Sequence, residues 1–308
     1  MRVLITGGAG FIGTALANRL FSEGHHVRVF DNLSAGNPAN LHSDIHFTRG
    51  DVMDKPMLWS VLNRVDCVYH LAARVSIPES IQYPTEYNTT NVGGTVALME
   101  AIRDAGVKRV VLASSGTIYG EQRVVKVTEN LFPLPTSPYG VSKLCAEHYV
   151  LSIGKLWGIE TVILRIFNTY GPGQSFSLPH SPVISQFIQE AIAGGSIIVH
   201  GDGQQVRDFV YIDDVVTGLV AATTTQQANH QIINIGSGEG TSINQLIKLI
   251  KTVTNHKLQL LYVNAKSAGV SKLIADISLA KKLLDYQPKT NLQEGLERLL
   301  QLDARFGK

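Results

Sequence analysis

Apolar runs of strand length alternate with helical segments through the first half of the chain. Arg2 to Thr6, His26 to Phe30, Ile45 to Thr48, Cys67 to Leu71, Arg109 to Ser114 and Glu160 to Ile166 read as strands. Between them, residues 11 to 22, 55 to 63, 87 to 105 and 138 to 157 read as helices. Strand–helix alternation of this kind predicts a parallel sheet covered on both faces. The stretch from Phe167 to Pro182 is rich in Gly, Pro and Ser and reads as a crossing between lobes. Beyond it the spacing predicts a helix near 183 to 193, short strands near 197, 209, 232 and 259, and helices near 213 to 222, 242 to 253, 278 to 284 and 291 to 302. The division expected is a main domain over residues 1–168, receiving further elements from about 208–236, and a smaller α/β lobe over 169–308.

At 308 residues, with 44% hydrophobic and 17% charged side chains, the chain suits a large core and a globular enzyme. A formal net charge of +2 with no block of like charges gives no nucleic-acid-binding surface. Cys67 and Cys145 lack metal-ligand spacing and read as buried thiols in a reducing compartment, so no metal is expected. A strand at residue 2 or 3 leaves no room for a signal peptide, and no apolar run reaches membrane-spanning length. A cytoplasmic protein without membrane association is expected.

The first strand runs into Thr6-Gly7-Gly8-Ala9-Gly10-Phe11-Ile12-Gly13. Glycines at this spacing let the chain turn tightly and bring backbone N–H groups against a pyrophosphate at a helix amino end. The second strand ends at Asp31, where a carboxylate can accept both adenosine ribose hydroxyls and repel a 2′-phosphate; an exposed loop aspartate is the plainer alternative. No Arg or Lys occurs from Asp31 through Asp44, so NAD is expected rather than NADP. Asp51-Val52 ends the third strand, where Asp51 could meet the adenine amino group or simply cap a helix. Leu71-Ala72-Ala73 ends the fourth, with side chains small enough for a cofactor to pass.

Tyr139 and Lys143 stand four residues apart on a helix and share a face. A phenol ionises near pH ~10 unaided, and an adjacent cation favours its phenolate by roughly one to three pH units. Tyr139 is therefore a candidate general base near neutral pH.

These motifs, with Asn91-Val92-Gly93-Gly94-Thr95, Ser114-Ser115-Gly116-Thr117-Ile118-Tyr119-Gly120, Arg165-Ile166-Phe167-Asn168 and Arg207-Asp208-Phe209-Val210-Tyr211, occur in order along the chain. The ordered set resembles the extended short-chain dehydrogenases/reductases, and within them the UDP-galactose (UDP-glucose) 4-epimerase family. The resemblance implies a Rossmann-type doubly wound parallel sheet with a smaller C-terminal substrate-binding lobe. It implies that Ser115 bonds the reacting sugar hydroxyl, that Tyr139 acts as base and then acid, and that Lys143 binds the nicotinamide ribose. Gly7, Gly10, Phe11, Ile12, Gly13, Asp31, Asn32, Asp51, Val52, Leu71, Ala72, Ala73, Asn91 and Phe167 match positions that line NAD. Thr117, Asn168, Arg207, Lys266 and Leu273 match substrate-side positions, with Asn168 and Arg207 at the nucleotide diphosphate. A guanidinium suits phosphate, although Asp208, Asp213 or Asp214 could instead pair with Arg207.

Departures from relatives sharpen this picture. Related 4,6-dehydratases place Asp and Glu directly after the residue at position 115, and UDP-glucuronate decarboxylases place Glu at the second of these positions. Here stand Gly116 and Thr117, neither of which can move a proton on a sugar carbon. An Arg-x-Gly-Asp common in relatives is replaced by Lys266-Ser267-Ala268-Gly269, and lysine is a point charge rather than a fork. Leu273 falls where relatives set the room for a 2-acetamido group; core packing accounts for it equally well. The implied activity is 4-epimerisation of a UDP-hexose through a transient 4-keto sugar. Another nucleotide-sugar enzyme of this fold, acting on an N-acetylhexosamine or glucuronate form or as a net oxidoreductase, and a non-catalytic NAD-binding regulator are the alternatives. In relatives, helices matching 87–105 and 138–157 pair with a second subunit, which implies a homodimer.

Overall fold

Along Arg2–Thr6, Val3 and Ile5 join one hydrophobic cluster while Leu4 joins a second, and all three are buried. A strand of this kind is stable only between two covering layers. The computed structural model describes residues 1–175, 182–256, 258–264 and 270–306. Its strands are β1 (Arg2–Thr6), β2 (His26–Asp31), β3 (His46–Arg49), β4 (Cys67–His70), β5 (Arg109–Ser115), β6 (Glu160–Ile166) and β7 (Asn168–Tyr170), followed by β8 (Ser196–His200), β9 (Val206–Arg207), β10 (Phe209–Tyr211), β11 (Gln231–Ile235), β12 (Thr241–Ser242), β13 (Gln259–Val263) and β14 (Lys272–Leu273). Its α-helices are α1 (Phe11–Ser22), α2 (Lys55–Leu62), α3 (Ile77–Gln82), α4 (Pro84–Tyr87), α5 (Gly94–Ala105) and α6 (Pro138–Trp157), then α7 (Val183–Ala193), α8 (Ile212–Thr224), α9 (Ile243–Thr254), α10 (Ser278–Leu284) and α11 (Leu292–Leu302).

Seven strands form one sheet in the order β11-β6-β5-β4-β1-β2-β3, all parallel. This is the expected Rossmann-type doubly wound sheet. One face is closed by α1 and α8, the other by α2, α5 and α6. The strand order reverses between β1 and β4, which opens a crevice at the carboxyl ends where such sheets bind ligands. β11, from the second half of the chain, joins the sheet beside β6. The remaining strands make small sheets: β10 with β7, β13 with β8, and β9 between β12 and β14. No helix among the described residues is long and apolar enough to cross a membrane.

The helix expected over 87–105 is broken into α4, a π-helical turn at Asn88–Gly93 and α5. α3, absent from the sequence reading, starts at a capped turn in which Ser76 Oγ accepts from the Glu79 amide. The first part of the Phe167–Pro182 crossing is the strand β7, paired with β10.

Candidate active site

The turn after β1 is held open for a ligand by its own lack of side chains. Gly7 has φ +68°, and a Cβ there would lie 2.6 Å from the Ala72 amide nitrogen. A Cβ on Gly13 would overlap the Gly7 carbonyl. Any larger residue at either position pushes the turn apart. Gly10 is the N-cap of α1, no side chain caps that end, and its first turn carries no acid. Uncapped N–H groups and the helix dipole together make an anion site. Gly7, Gly10, Phe11, Ile12 and Gly13 all line a single cleft.

Asp31 closes the adjacent wall at the end of β2. Its carboxylate accepts from the Ala9 amide at 3.0 Å and the Leu33 amide at 2.8 Å, which fixes it beside the glycine turn. It is 8% exposed and lines the same cleft. Asn32 lines the cleft as well and donates to Asp51 Oδ2 at 2.9 Å. Asp51 sits just behind, its other oxygen accepting from the Met53 amide. Val52, Leu71, Ala72 and Ala73 continue the wall. A cradle of backbone donors, a carboxylate at the ribose position and a small-residue floor fit a dinucleotide.

At the far end of the cleft stand Ser115, Tyr139, Lys143 and Phe167. α6 presents the middle pair because Ser137 caps it, its Oγ accepting from the Gly140 amide at 3.1 Å, and Pro138 occupies its first turn. Tyr139 is 8% and Lys143 4% exposed. Burial pushes the Tyr139 phenol above its ordinary value, opposed by a hydrogen bond from Ser115. Burial likewise brings the Lys143 ammonium down to about 8, opposed by the charge of Glu147. The depressed phenol expected from helix spacing is thus not what the pocket produces. Desolvation acts on both members and favours the neutral form of each. Ser115 Oγ accepts from the Thr117 amide and hydroxyl at 3.2 and 3.0 Å, so Thr117 meets Ser115 rather than lining the cleft. A Cβ on Gly116 would come to 3.1 Å from three ring atoms of Phe167, leaving no easy room for an acid there.

Behind this wall lies a buried polar chain, and Asn91, expected to line NAD, belongs to it rather than to the cleft lining, while His70 and Thr6 in it are not among the site residues the sequence singles out. Asn91 accepts from the Arg74 amide and donates to the Arg74 carbonyl and Ser142 Oγ, so its carboxamide holds the wall together. Thr95 Oγ1 donates to the Asn91 carbonyl and meets His70 Nε2, while His70 Nδ1 meets Thr6 Oγ1. Burial takes the His70 pKa down to about 3, and the charge of Lys143 acts in the same direction. A neutral ring therefore links the glycine strand to α5, and Asn91 carries the chain on to Ser142 of α6. His70 directly precedes Leu71-Ala72-Ala73, the one signal that could have singled it out.

Three substrate-side candidates gather around β9. Arg207 lies in that strand beside Leu273 of β14, and the residue after it pairs with Asn168 of β7. Among the described residues no carboxylate forms an ion pair with Arg207. Asp208 bonds Ser237, Gly238 and Ala275, and Asp214 accepts from the Lys289 and Thr290 amides. Burial pushes the Arg207 pKa down, opposed by the charge of Glu121. Asn168 is exposed and Leu273 buried. Lys266 lies outside the described residues. The cleft also takes in Arg74, Val75, Thr169, Gln174 and Pro182, none of which belongs to a motif singled out above.

A family model described as the NAD dependent epimerase/dehydratase family matches residues 3–236. The chain is 35% identical over 300 residues to a putative UDP-glucose 4-epimerase of Methanocaldococcus jannaschii, covering 97% of each chain. It is similar to the crystal structure of UDP-glucose 4-epimerase from Thermotoga maritima with UDP-glucose, with 36% identity, a TM-score of 0.94 and 97% of each chain covered. It is also similar to UDP-N-acetylglucosamine 4-epimerase from Methanobrevibacter ruminantium in complex with UDP-N-acetylmuramic acid, with 31% identity, a TM-score of 0.92, and 97% and 96% covered. With the glycine cradle, Asp31 and the Tyr139/Lys143 pair in one cleft, these matches show that the chain belongs to the NAD dependent epimerase/dehydratase family, as an NAD-using enzyme of the extended short-chain dehydrogenase/reductase type.

Proposed function

We propose that this protein is a UDP-hexose 4-epimerase interconverting UDP-glucose and UDP-galactose. The observation that carries the reading is that Ser115, Tyr139 and Lys143 line the same cleft as the glycine turn, with Gly116 and Thr117 offering no further acid or base. Inversion at C4 needs one proton taken and returned at one oxygen, and this set supplies no more than that.

When bound, NAD supplies the hydride acceptor that takes and returns the C4 hydrogen, so the reaction is redox-neutral. Gly7, Gly10 and Gly13 would hold the pyrophosphate and Asp31 the adenosine ribose, with Asn32, Asp51, Val52, Leu71, Ala72 and Ala73 completing the wall of the cofactor site. Tyr139, as phenolate, takes the proton of the sugar 4-hydroxyl at Oη and, then a phenol, later gives it back. Ser115, its lone pairs engaged by Thr117, donates to the developing negative oxygen. Lys143, as ammonium, would hold the nicotinamide ribose and stabilises the Tyr139 phenolate before it takes the proton, working against the burial that raises the phenol, because paired opposite charges in a buried site stabilise one another. Arg207, without a carboxylate partner among the described residues, takes the diphosphate together with Asn168. The same reading has the protein acting in the cytoplasm as a homodimer through α5 and α6, the latter exposing Val141, Tyr149 and Leu156. The second half of the chain, apart from β10, α8 and β11, forms the nucleotide-sugar lobe.

A UDP-N-acetylhexosamine is the second reading, favoured by likeness to the Methanobrevibacter enzyme. Incubation with UDP-glucose, UDP-galactose and their acetamido and uronate forms, followed by NMR, tests both. Inversion at C4 of the unmodified hexoses without stoichiometric NADH is expected. Inversion of the acetamido sugars alone favours the second reading, and no inversion with any sugar removes both.

A further inference from the structure

Asp208 is fully buried, and no salt bridge to it is formed among the described residues. Its Oδ1 accepts from the Ser237 amide and hydroxyl, both at 2.7 Å. Its Oδ2 accepts from the amides of Gly238 at 2.9 Å and Ala275 at 3.1 Å. Three of the four partners are backbone N–H groups, which only donate, and they reach both oxygens, as suits an ionised carboxylate. Burial pushes its pKa up, and the Ser237, Ala275 and Gly238 donors oppose that. The backbone is equally committed: the Asp208 amide donates to the Leu273 carbonyl at 3.1 Å, and its carbonyl accepts from the Asn168 amide at 3.2 Å.

Six hydrogen bonds on one residue therefore join β7, the turn after β11 and the strand leaving β14. The residues so joined are neighbours of Asn168, Arg207 and Leu273, which arrive from three distant parts of the chain. Placing a planar guanidinium for two phosphate contacts demands that these segments keep a fixed register. We propose that Asp208 is the positioning residue of the nucleotide subsite, holding Asn168, Arg207 and Leu273 in register without itself touching substrate. It resembles a metal site's outer ligand shell in logic: the inner groups bind, and a buried anion aims them. The proposal rests on the nucleotide-sugar reading above.

Replacing Asp208 by Asn keeps its shape but turns an N–H2 toward N–H donors. UDP binding to the NAD-loaded protein, measured by calorimetry, reads the consequence. Asp208→Asn is expected to weaken UDP by about 30-fold, within the usual range for a lost hydrogen bond to a charged group, and Ser237→Ala by about 3- to 10-fold, a smaller loss because Asp208 keeps its three backbone donors. NADH affinity, read by fluorescence, should stay within about twofold in both, because the glycine cradle is remote from this bond set. A purely structural Asp208 would lower the melting temperature of the variants and leave UDP affinity intact. Arg207→Ala serves as the control for the subsite itself. If it binds UDP as the parent does, the nucleotide-sugar reading of Arg207 fails. If Arg207→Ala weakens UDP while Ser237→Ala and any folded Asp208→Asn do not, the positioning role is overturned; where Asp208→Asn does not fold, Ser237→Ala decides alone.

Discussion

Thr117 Oγ1 donates to Ser115 Oγ over 3.0 Å, and the Thr117 amide donates to the same oxygen over 3.2 Å. With its lone pairs engaged, the Ser115 hydroxyl has only its proton left to offer, and that proton favours the ionised form of Tyr139 against burial. Thr117→Val should therefore lower kcat by about 3- to 10-fold with KM little changed, the effect of losing one orienting hydrogen bond. Thr117→Ser should restore most of it. Steady-state kinetics of the two variants check this, and a Thr117→Val variant at the parent rate beside an impaired Thr117→Ser would mean that the methyl rather than the hydroxyl matters.

Gly13 packs against the Gly7 carbonyl with no room for a Cβ. Gly13→Ala is expected to weaken NADH binding by at least about tenfold, since the turn must open to admit the methyl and the N–H groups then miss the pyrophosphate. Fluorescence titration with NADH reads the loss. A variant that binds NADH like its parent would mean the anion sits elsewhere.

Asp31 is held by the Ala9 and Leu33 amides with its carboxylate at the cleft wall. NADPH should bind at least about 100-fold more weakly than NADH, because a 2′-phosphate meets that carboxylate at close range. Asp31→Asn should narrow the ratio chiefly by improving NADPH. Parallel titrations with both nucleotides measure it directly.

Lys143 is held as a buried cation at a cost to the fold. Its folded pKa of about 8 lies below its ordinary 10.5, so between these values the unfolded chain binds more protons than the native one. Stability from this group therefore rises as pH climbs from 8 to 10.5, and the cost is fully present below pH 8. Lys143→Met should be more stable at pH 7 by up to about 3 kcal/mol, while losing activity. The advantage should shrink above pH 8 and vanish beyond 10.5. Denaturant titrations of both proteins across this range test the sign and the window.

Much of the fold is legible in the residues because local signals agree with tertiary packing. α6 runs from Pro138 to Trp157 as the sequence predicts, since Ser137 caps its start and Gly158, in the left-handed conformation, ends it. The sheet strands are near-continuous apolar runs bounded by turns, which leave little choice. The break at Asn88–Gly93 was not legible, because Asn91 bonds the backbone of Arg74, 17 residues away. β9, β12 and β14 have two residues each and are too short for any period to show. Ser76-Ile77-Pro78-Glu79 carries a helix-start signal for α3, a capping serine followed by a proline in the first turn.

In the site, spacing placed Tyr139 and Lys143 together but says nothing of how dry their pocket is. Burial, rather than the neighbouring charge, sets the direction of both pKa values. Whether Arg207 pairs with an acid was equally hidden. Its adjacent Asp208 is claimed by Ser237, Gly238 and Ala275, up to 67 residues away.

The most direct test compares turnover of Tyr139→Phe with its parent on UDP-galactose, with NAD content checked in both. The phenylalanine keeps the ring against Tyr87, whose centroid is 6.4 Å away, and removes only the hydroxyl. Turnover should fall by roughly 10²–10⁴-fold while NAD stays bound, the usual worth of general acid–base catalysis. A variant that retains NAD and inverts C4 at close to the parent rate would contradict the assignment of Tyr139 as the group that takes and returns the proton.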